Sequence, residues 1–535
     1  MSLFSKSFKA FLMVVATALL PMLASCQLIT EDYDDEISDN SASRYINITV
    51  SVSASNEPVT RANPTGGETG DGLEKGLERE NAVDNITLIF YKDAGINNID
   101  ANTKVAFFAT YPVTKTDNYY GNHNHQLEGD SPAGWTGESN DNEVIYSTGD
   151  QKLDEGAIDV KQTYHAIVVA NAPNALLANI TPGVTTISAL RDMVVSTVYE
   201  GTEEETVAGV GTAAQKFVMS SERDATVTFT NKKIDEQKNT ITYYFECIHI
   251  ERLAARIDFC AKTKNPDATA TYMAAAYDAD NYDYAGYVYN VGQKDANNKQ
   301  DHFVLTSITP FNLMTGDEYL LKRTNDTNGY LAKETTSNWV LDPYTALKNT
   351  AAHPDYLVSP LTSVKANMAN KYNIVLSTRQ TASTETTEGT KFSIKENGVT
   401  ADNIIIGYPK ENTLTADVTP LYYYATGLAF EGYYYSKNAT KDANGKYTGG
   451  ERKVFYHYLR HQGGDQDAAY SALTDETLDT DTKCPASPAM NFGIVRNNIY
   501  RVCIESITPV DDDIKVTLLI KVKKWDKFVH EPIYM

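Results

Sequence analysis

The sequence predicts an all-β protein built from β-sandwiches. Short apolar stretches recur along the chain and are closed by turn residues, which is the pattern of sandwich strands. Only residues 186–196 have convincing helical spacing, with Thr185 or Thr186 as the N-cap. The apolar face of this helix consists of Ile187, Leu190 and Val194. Because 535 residues are too many for one ordinary core, two domains with few short helices are expected.

The first predicted strand lies in residues 44–61. Its apolar residues fall on every second position with polar residues between them, which is the period of a half-buried strand. The apolar residues are Ile46, Ile48, Val50 and Val52, and the polar ones are Asn47, Thr49, Ser51 and Ser53. Burying four β-branched side chains is worth roughly 6–12 kcal/mol, and a typical domain is stable by only about 5–15 kcal/mol. A protein that lost this strand would therefore need a replacement, and a second copy of the chain could supply it.

The N-terminus has the parts of a bacterial lipoprotein signal. Lys6 and Lys9 precede an apolar core at residues 11–20, and residues 23–26, LASC, form a lipobox. Since the apolar core is too short to remain as a membrane span, residues 1–26 are predicted to be the signal, ending at a lipidated Cys26. The alternative is a plain secretory peptide, which would leave Cys26 as an ordinary thiol. Residues 27–40 are expected to form an acidic tether without regular structure.

The charge of the chain argues against nucleic acid as a partner. The formal net charge is −23 and is spread widely along the sequence, which indicates a self-repelling exterior. No later segment approaches the length of a transmembrane helix, so we expect the body of the protein to be held to a membrane by lipid alone.

Two strand-rich regions follow, and residues 262–299, rich in Ala, Asp, Asn and Tyr without a firm period, separate them. This composition change predicts domains at residues 62–261 and 262–535. In the first region the continuous apolar run of residues 165–171, HAIVVAN, predicts a central buried strand. Near its end, the alternation of residues 253–259 puts Arg256 and Asp258 on one polar face, where a structural contact between strands is predicted.

The chain ends in a well-patterned strand pair. Residues 498–507 are predicted to form one strand and residues 509–513 the turn. The apolar face of the next strand consists of Ile514, Val516, Leu518, Ile520 and Val522. The tail, residues 526–535, could pair with another subunit through Phe528, Val529, Ile533 and Tyr534. A frayed edge is the competing interpretation, because the alternation is poor and Pro532 lacks an amide donor.

Four cysteines remain after Cys26, namely Cys247, Cys260, Cys484 and Cys503. In an exported protein this even number permits two disulfides in three possible connectivities, and unbridged buried thiols are an equally open alternative.

The sequence shows no constellation typical of catalysis or of a cofactor. His457 and His461 have the spacing of zinc ligands on a helix, but residues 454–458 around His457 are predicted to form a strand, where that spacing does not converge. Asp278, Asp280 and Asp283 resemble part of a calcium loop, but the central glycine and the final glutamate are missing. Since there is also no phosphate-binding loop and no nucleophile elbow, we expect neither an enzyme nor a bound cofactor or metal.

Several motifs together resemble a known family. They are the lipobox at Cys26, the first strand followed by Thr60-Arg61-Ala62, residues 251–259 (ERLAARIDF), and residues 495–502 (VRNNIYRV) with Trp525. In this order they are similar to the fimbrillins of the FimA/Mfa type, the subunits of type V pili.

The resemblance implies two tandem transthyretin-like β-sandwich domains and a lipoprotein precursor at the outer membrane. It also implies that an arginine-specific protease cuts between Arg61 and Ala62 and removes residues 27–61. The groove left by the first strand would then accept the C-terminal strand of a neighbouring subunit. Arg44 and Arg79 lie near this junction and leave the cleavage site open.

The function predicted from the resemblance is that of a structural subunit of an adhesive cell-surface pilus. Its partners would be copies of itself and related pilus subunits, the protease and, before maturation, the outer membrane. The main alternative is a surface glycan-binding lipoprotein of a nutrient-uptake system, a class that is mainly helical. A secreted hydrolase is the weakest alternative, because no nucleophile or acid-base pair stands out.

Overall fold

The computed structural model describes residues 42–52, 73–75, 78–92, 102–116, 145–198, 216–221, 224–245, 247–268, 270–325, 340–348, 352–380, 391–414, 423–460, 469–474, 492–510 and 513–526. Packing divides the chain into two units. One consists of Met1–Ser43 and Ile234–Ile241, and the other of Arg44–Lys233 and Thr242–Met535. Within the first unit, the amide of Ser43 donates to the carbonyl of Asn239 at 3.0 Å.

Among the described residues, strands dominate and the three α-helices are only four to six residues long, which confirms the all-β fold class. The strands up to residue 260 are β1 Ser43–Asn47, β2 Thr49–Ser51, β3 Leu73–Lys75, β4 Asn85–Lys92, β5 Val105–Pro112, β6 Thr114–Thr116, β7 Ile145–Ser147, β8 Gln151–Leu153, β9 Tyr164–Ala170, β10 Val194–Val195, β11 Met219–Ser221, β12 Ala225–Val227, β13 Lys232–Asp235, β14 Thr240–Tyr244, β15 Ile248–Arg252 and β16 Arg256–Cys260.

The strands after residue 260 are β17 Lys262–Lys264, β18 Tyr272–Ala274, β19 Ala276–Asp278, β20 Gly286–Val291, β21 Asp301–Phe311, β22 Leu313–Met314, β23 Glu318–Tyr319, β24 Leu357–Val358, β25 Ile374–Val375, β26 Lys391–Glu396, β27 Val399–Gly407, β28 Gly427–Tyr435, β29 Glu451–Tyr458, β30 Ala469–Ser471, β31 Asn498–Val510 and β32 Asp513–Asp526. The α-helices are α1 Asn174–Leu177, α2 Ile187–Arg191 and α3 Leu361–Ala366, and 3₁₀ turns occur at Glu78–Asn81, Thr345–Leu347 and Leu376–Arg379.

A nine-stranded sheet has the order β5-β4-β9-β11-β15-β2-β7-β6, with β12 also on β9. Every residue of β9 is buried, and β9 pairs with β4 on one side and with β11 and β12 on the other. The predicted central strand is thus confirmed. The strand ends at Ala170, and the next residue, Asn171, has a φ of 53°, which turns the chain out of the sheet.

The predicted helix at residues 186–196 is shorter than expected. In α2, Ile187 and Leu190 are buried, and the Thr186 side chain accepts from the amide of Ala189 at 3.1 Å, as expected of an N-cap. The helix ends at Arg191. Val194 lies instead in β10, because it pairs there with Tyr319 of β23.

Two further sheets pack face to face as a sandwich. The seven-stranded sheet has the order β26-β27-β16-β31-β32-β3, with β30 also on β32, and the six-stranded sheet has the order β19-β20-β21-β28-β29, with β25 also on β21. Phe259 and Tyr500 of the first sheet and Phe303 and Phe430 of the second belong to one core. The predicted apolar face of β32 belongs to the same core, from Ile514 to Val522 on alternate residues.

The final hairpin is longer than expected. The strand β31 continues to Val510 instead of ending at residue 507, because Pro509 still pairs with Ile514 and Val510 with Asp513. The strand β16, which precedes the predicted domain boundary, pairs with β27 and β31 of the seven-stranded sheet. The boundary between residues 261 and 262 stays a prediction.

Candidate functional site at the first strand

The first strand, which we define as β1, Ile48, β2 and Val52, lies inside the sheets and not at an edge. The segment β1 pairs antiparallel with β8, and on its other side the carbonyl of Asn47 accepts from the amide of Phe245 at 3.4 Å. The segment β2 lies between β15, to which it is parallel, and β7, to which it is antiparallel. Loss of the first strand would therefore leave unpaired backbone groups on both of its sides.

All four predicted apolar side chains of the first strand are buried. Ile46, Ile48 and Val50 are 0% exposed and Val52 is 1% exposed. The expectation of a half-buried strand is wrong for β2, because Thr49 and Ser51 are also buried. Both faces of this segment are therefore buried, so its period of two does not correspond to one solvent-exposed face.

Polar contacts fix the point at which the strand passes from β1 to β2. The amide of Ile48 donates to Oγ1 of Thr148 at 3.1 Å, and the amide of Thr148 donates to the carbonyl of Ile48 at 3.0 Å. Nearby, Nδ2 of Asn47 donates to Oδ1 of Asp150 at 2.9 Å, and Oγ of Ser147 donates to Oδ1 of Asn47 at 3.0 Å. Sequence reasoning missed these partners. The only sequence signal was the turn composition of residues 147–150, STGD.

The chain downstream of the first strand is held by a buried ionic network. Glu80, in the 3₁₀ turn Glu78–Asn81, accepts from Nη1 of Arg256 at 2.8 Å and from the hydroxyl of Tyr408 at 2.6 Å. Arg256 also donates to both carboxylate oxygens of Asp258, at 2.9 and 2.8 Å, and Arg501 reaches Asp258 at 3.3 Å. Burial alone would lower the pKa of Arg256, but Asp258 and Glu80 raise it above its usual value. The predicted shared face of Arg256 and Asp258 is thus present as a structural contact.

The three arginines near the predicted cleavage junction differ in their surroundings. Arg44 lies in β1 and is half-buried. Arg79 lies in the 3₁₀ turn, next to Glu80 and Asn81, which are 1% and 2% exposed. Arg61 and Ala62 lie outside the described residues, as does Cys26.

The predicted donor region begins where the described part of the chain stops. The strand β32 pairs with β31 as far as Lys524, and β3 runs parallel to its last three residues, Lys524 to Asp526. The predicted donor residues Phe528, Val529, Ile533 and Tyr534 lie outside the described residues.

The other candidate ligands have ordinary structural surroundings. Burial and the neighbouring Arg460 lower the pKa of His457 in β29 to about 3, and His461 lies outside the described residues. The Oδ1 atom of Asp278 accepts from the amides of Asp280 and Asn281, at 2.9 and 2.8 Å, within its own turn. Within the described ranges, no group of three His, Cys, Asp or Glu side chains is arranged to hold a metal ion. None of the helices described is long and apolar enough to span a membrane.

No protein-family model matches this chain, and no curated protein matches it. Solved structures do match. The tip fimbrial protein Mfa3 from Porphyromonas gingivalis, with a C-terminal truncation, is 10% identical, and the match covers 90% of this chain and 100% of that one with a TM-score of 0.35. The fimbrilin FimA from Porphyromonas gingivalis W83 is 11% identical, with 91% and 99% covered and a TM-score of 0.36.

A fimbrial assembly protein from Parabacteroides distasonis ATCC 8503 also matches, at 10% identity, with 90% and 99% covered and a TM-score of 0.29. The resemblance to fimbrillins that the sequence motifs indicated is therefore found again among solved structures. At this identity and TM-score, the matches are a likeness and carry no argument about what this chain does.

Proposed function

We propose that this chain is a structural subunit of a cell-surface fimbria, matured by arginine-specific cleavage and polymerised by strand exchange. The observation that carries the proposal is the position of the first strand. It is buried on both faces of β2 and paired on both sides, yet it precedes the rest of the fold in the sequence. One cut downstream of Val52 would leave it attached by noncovalent contacts alone.

Removal of the first strand would favour capture of another strand. The groove would expose the surfaces that now cover four apolar side chains, together with backbone groups of β7, β8 and β15. An inserted strand would bury that surface again and restore the hydrogen bonds. A groove at one place and a donor strand at another give a head-to-tail contact, which propagates as a filament.

The surroundings of the arginines support a cut at Arg61. A protease must bind an extended, accessible backbone. Arg44 lies in the paired strand β1, and Arg79 adjoins the buried residues Glu80 and Asn81. Both are therefore less suitable cleavage sites than Arg61. After a cut between Arg61 and Ala62, the network around Glu80 would still hold the new N-terminal part of the chain. The mature subunit would thus keep its fold while the first strand departs.

The proposed donor is the tail at residues 526–535, with Phe528, Val529, Ile533 and Tyr534 as the inserted side chains. It would continue from β32, whose end is paired with β31 and β3. The proposal further includes lipid at Cys26, an outer-membrane precursor, adhesion as the biological role, and no enzymatic activity. The glycan-binding alternative was expected to be mainly helical, and the three short helices of the described residues do not favour it.

The test uses the chain without its signal, an arginine-specific protease, N-terminal sequencing and electron microscopy. The variant Arg61→Lys keeps the charge but removes the cleavage site, and Arg79→Lys is the matched control. We expect a new terminus at Ala62 and filaments for the wild type and for Arg79→Lys, and neither for Arg61→Lys. Trimming residues 526–535 should keep the cleavage and abolish the filaments. Cleavage at Ala62 with no loss of the first strand from the folded body would refute strand exchange.

A further inference from the structure

Cys260 and Cys503 lie opposite each other on neighbouring parallel strands. The register of β16 and β31 pairs Asp258 with Arg501 and Phe259 with Val502. One residue further, the same register brings Cys260 opposite Cys503. We propose that these two cysteines form a disulfide in the exported protein.

The side chains of Cys260 and Cys503 lie on the same face of the seven-stranded sheet. Two residues earlier on the same face, Asp258 and Arg501 are in contact, with 3.3 Å between Oδ2 and Nη2. Cys260 and Cys503 belong to one small apolar cluster with Ala401 and Leu519, on the strands to either side. Neighbouring strands are about 4.8 Å apart, which lies within the Cα separation of about 4.4–6.8 Å found for disulfides.

The two thiols are almost inaccessible in the folded chain, since Cys260 is 0% and Cys503 is 3% exposed. Burial raises the pKa of Cys260 to about 12 and that of Cys503 well above its usual value. The reactive thiolate is therefore scarce once the sheet has formed. The bond must form while the chain folds, when β16 and β31 come together and before they are covered.

The chemistry is a thiol–disulfide exchange with a dithiol–disulfide oxidant, the class that acts on exported proteins. One cysteine thiolate attacks the disulfide of the oxidant and forms a mixed disulfide. The second thiolate then displaces the oxidant as a dithiol. The two thiols of the chain lose two protons and two electrons, and the oxidant takes up both electrons and two protons.

The structure holds Cys260 and Cys503 as free thiols, so the proposed bond is one that their placement permits. Cys247 is likewise a thiol, part-exposed between β14 and β15, and Cys484 lies outside the described residues. The register of β16 and β31 thus brings together one of the cysteine pairs that the sequence left open, and Cys247 remains a thiol. A bridge here joins segments 243 residues apart at the centre of the seven-stranded sheet. This inference does not depend on the proposed function.

Peptide mapping tests the bond directly. The full chain is exported to an oxidising periplasm, purified without reductant, denatured in excess N-ethylmaleimide and digested with trypsin. We expect residues 257–262, IDFCAK, linked to residues 502–515, VCIESITPVDDDIK, with the label on Cys247. Label on both Cys260 and Cys503, or a bond from either of them to Cys247 or Cys484, would overturn the proposal.

Single substitutions give a second readout. In Cys260→Ala the thiol of Cys503 should take up the label after denaturation, whereas Cys247→Ala should keep the linked peptide. If Cys260→Ala fails to fold, the wild-type map still decides the question. Reduction of the wild type should also lower the thermal midpoint by roughly 5–10 °C, because the bridge restrains a very long loop of the unfolded chain.

Discussion

Val50→Ala tests whether the first strand is an integral part of the uncut fold. Val50 is 0% exposed and lies in β2 between β15 and β7. The change removes two methyl groups at about 0.8 kcal/mol each, and the remaining cavity raises the total loss of unfolding free energy to about 2–3 kcal/mol. The matched control is Val184→Ala, because Val184 is 68% exposed and the same truncation there should change stability by less than about 0.5 kcal/mol.

The assay is denaturant unfolding of the uncut chain, followed through the first transition. After proteolysis and release of the first strand, the wild type and Val50→Ala should unfold at the same denaturant concentration, because the altered residue has left with the strand. If the loss in the uncut chain matches that of Val184→Ala, β2 does not stabilise the fold. If the difference persists after the strand has been released, the effect of the substitution lies elsewhere. Either result would refute the reasoning.

Three further predictions concern the rest of the fold. Asp258→Asn should cost about 3–5 kcal/mol of unfolding free energy, because a neutral amide replaces the carboxylate that Arg256 and Arg501 share and the carboxylate of Glu80 then remains to balance two buried guanidinium groups. Asp192→Asn, in the exposed pair with Arg323, should cost less than about 1 kcal/mol in the same denaturation assay. His457 has a folded pKa of about 3, below its unfolded value of about 6.5. Between these pH values the unfolded chain binds one more proton than the folded chain, so the stability of the protein should fall as the pH drops through this window. The expected slope is about 1.4 kcal/mol per pH unit, and a His457→Gln chain whose stability varies with pH as steeply as that of the wild type would contradict the assignment. Thr186→Ala should cost about 0.5–2 kcal/mol through loss of the α2 cap and should speed hydrogen exchange at the amide of Ala189, and unchanged exchange there would count against the capping bond.

Local pattern predicted most of the strands because it reports the direction of each side chain. The continuous run of β9 identified a strand covered on both faces, and the alternation of Ile514 to Val522 identified the core face of β32. The helix α2 was located from its spacing and cap, but its end was misplaced. Val194 continued the helical period, and only its pairing with Tyr319, 125 residues away, turned it into a strand.

The candidate site shows the same division more sharply. The four apolar positions of the first strand could be predicted from the sequence because they alternate with polar residues, and all four are buried. The sequence did not predict the hydrogen-bond partners of this strand, Thr148 and Asp150, or the burial of Thr49 and Ser51. The pairing of Glu80 with Arg256 joins residues 176 positions apart, for which a single sequence has no local signal.

The sequence by itself determined the all-β class, the position and apolar face of the first strand, and the strand pattern of the C-terminal hairpin. Periods of two and continuous apolar runs follow from the geometry of one strand, so they are visible in the chain alone. Only the tertiary structure decided which strands are neighbours. The tertiary packing also buries the second face of β2, holds Glu80 in an ionic network and sets Cys260 opposite Cys503, because burial and contact depend on elements that lie far apart in the sequence.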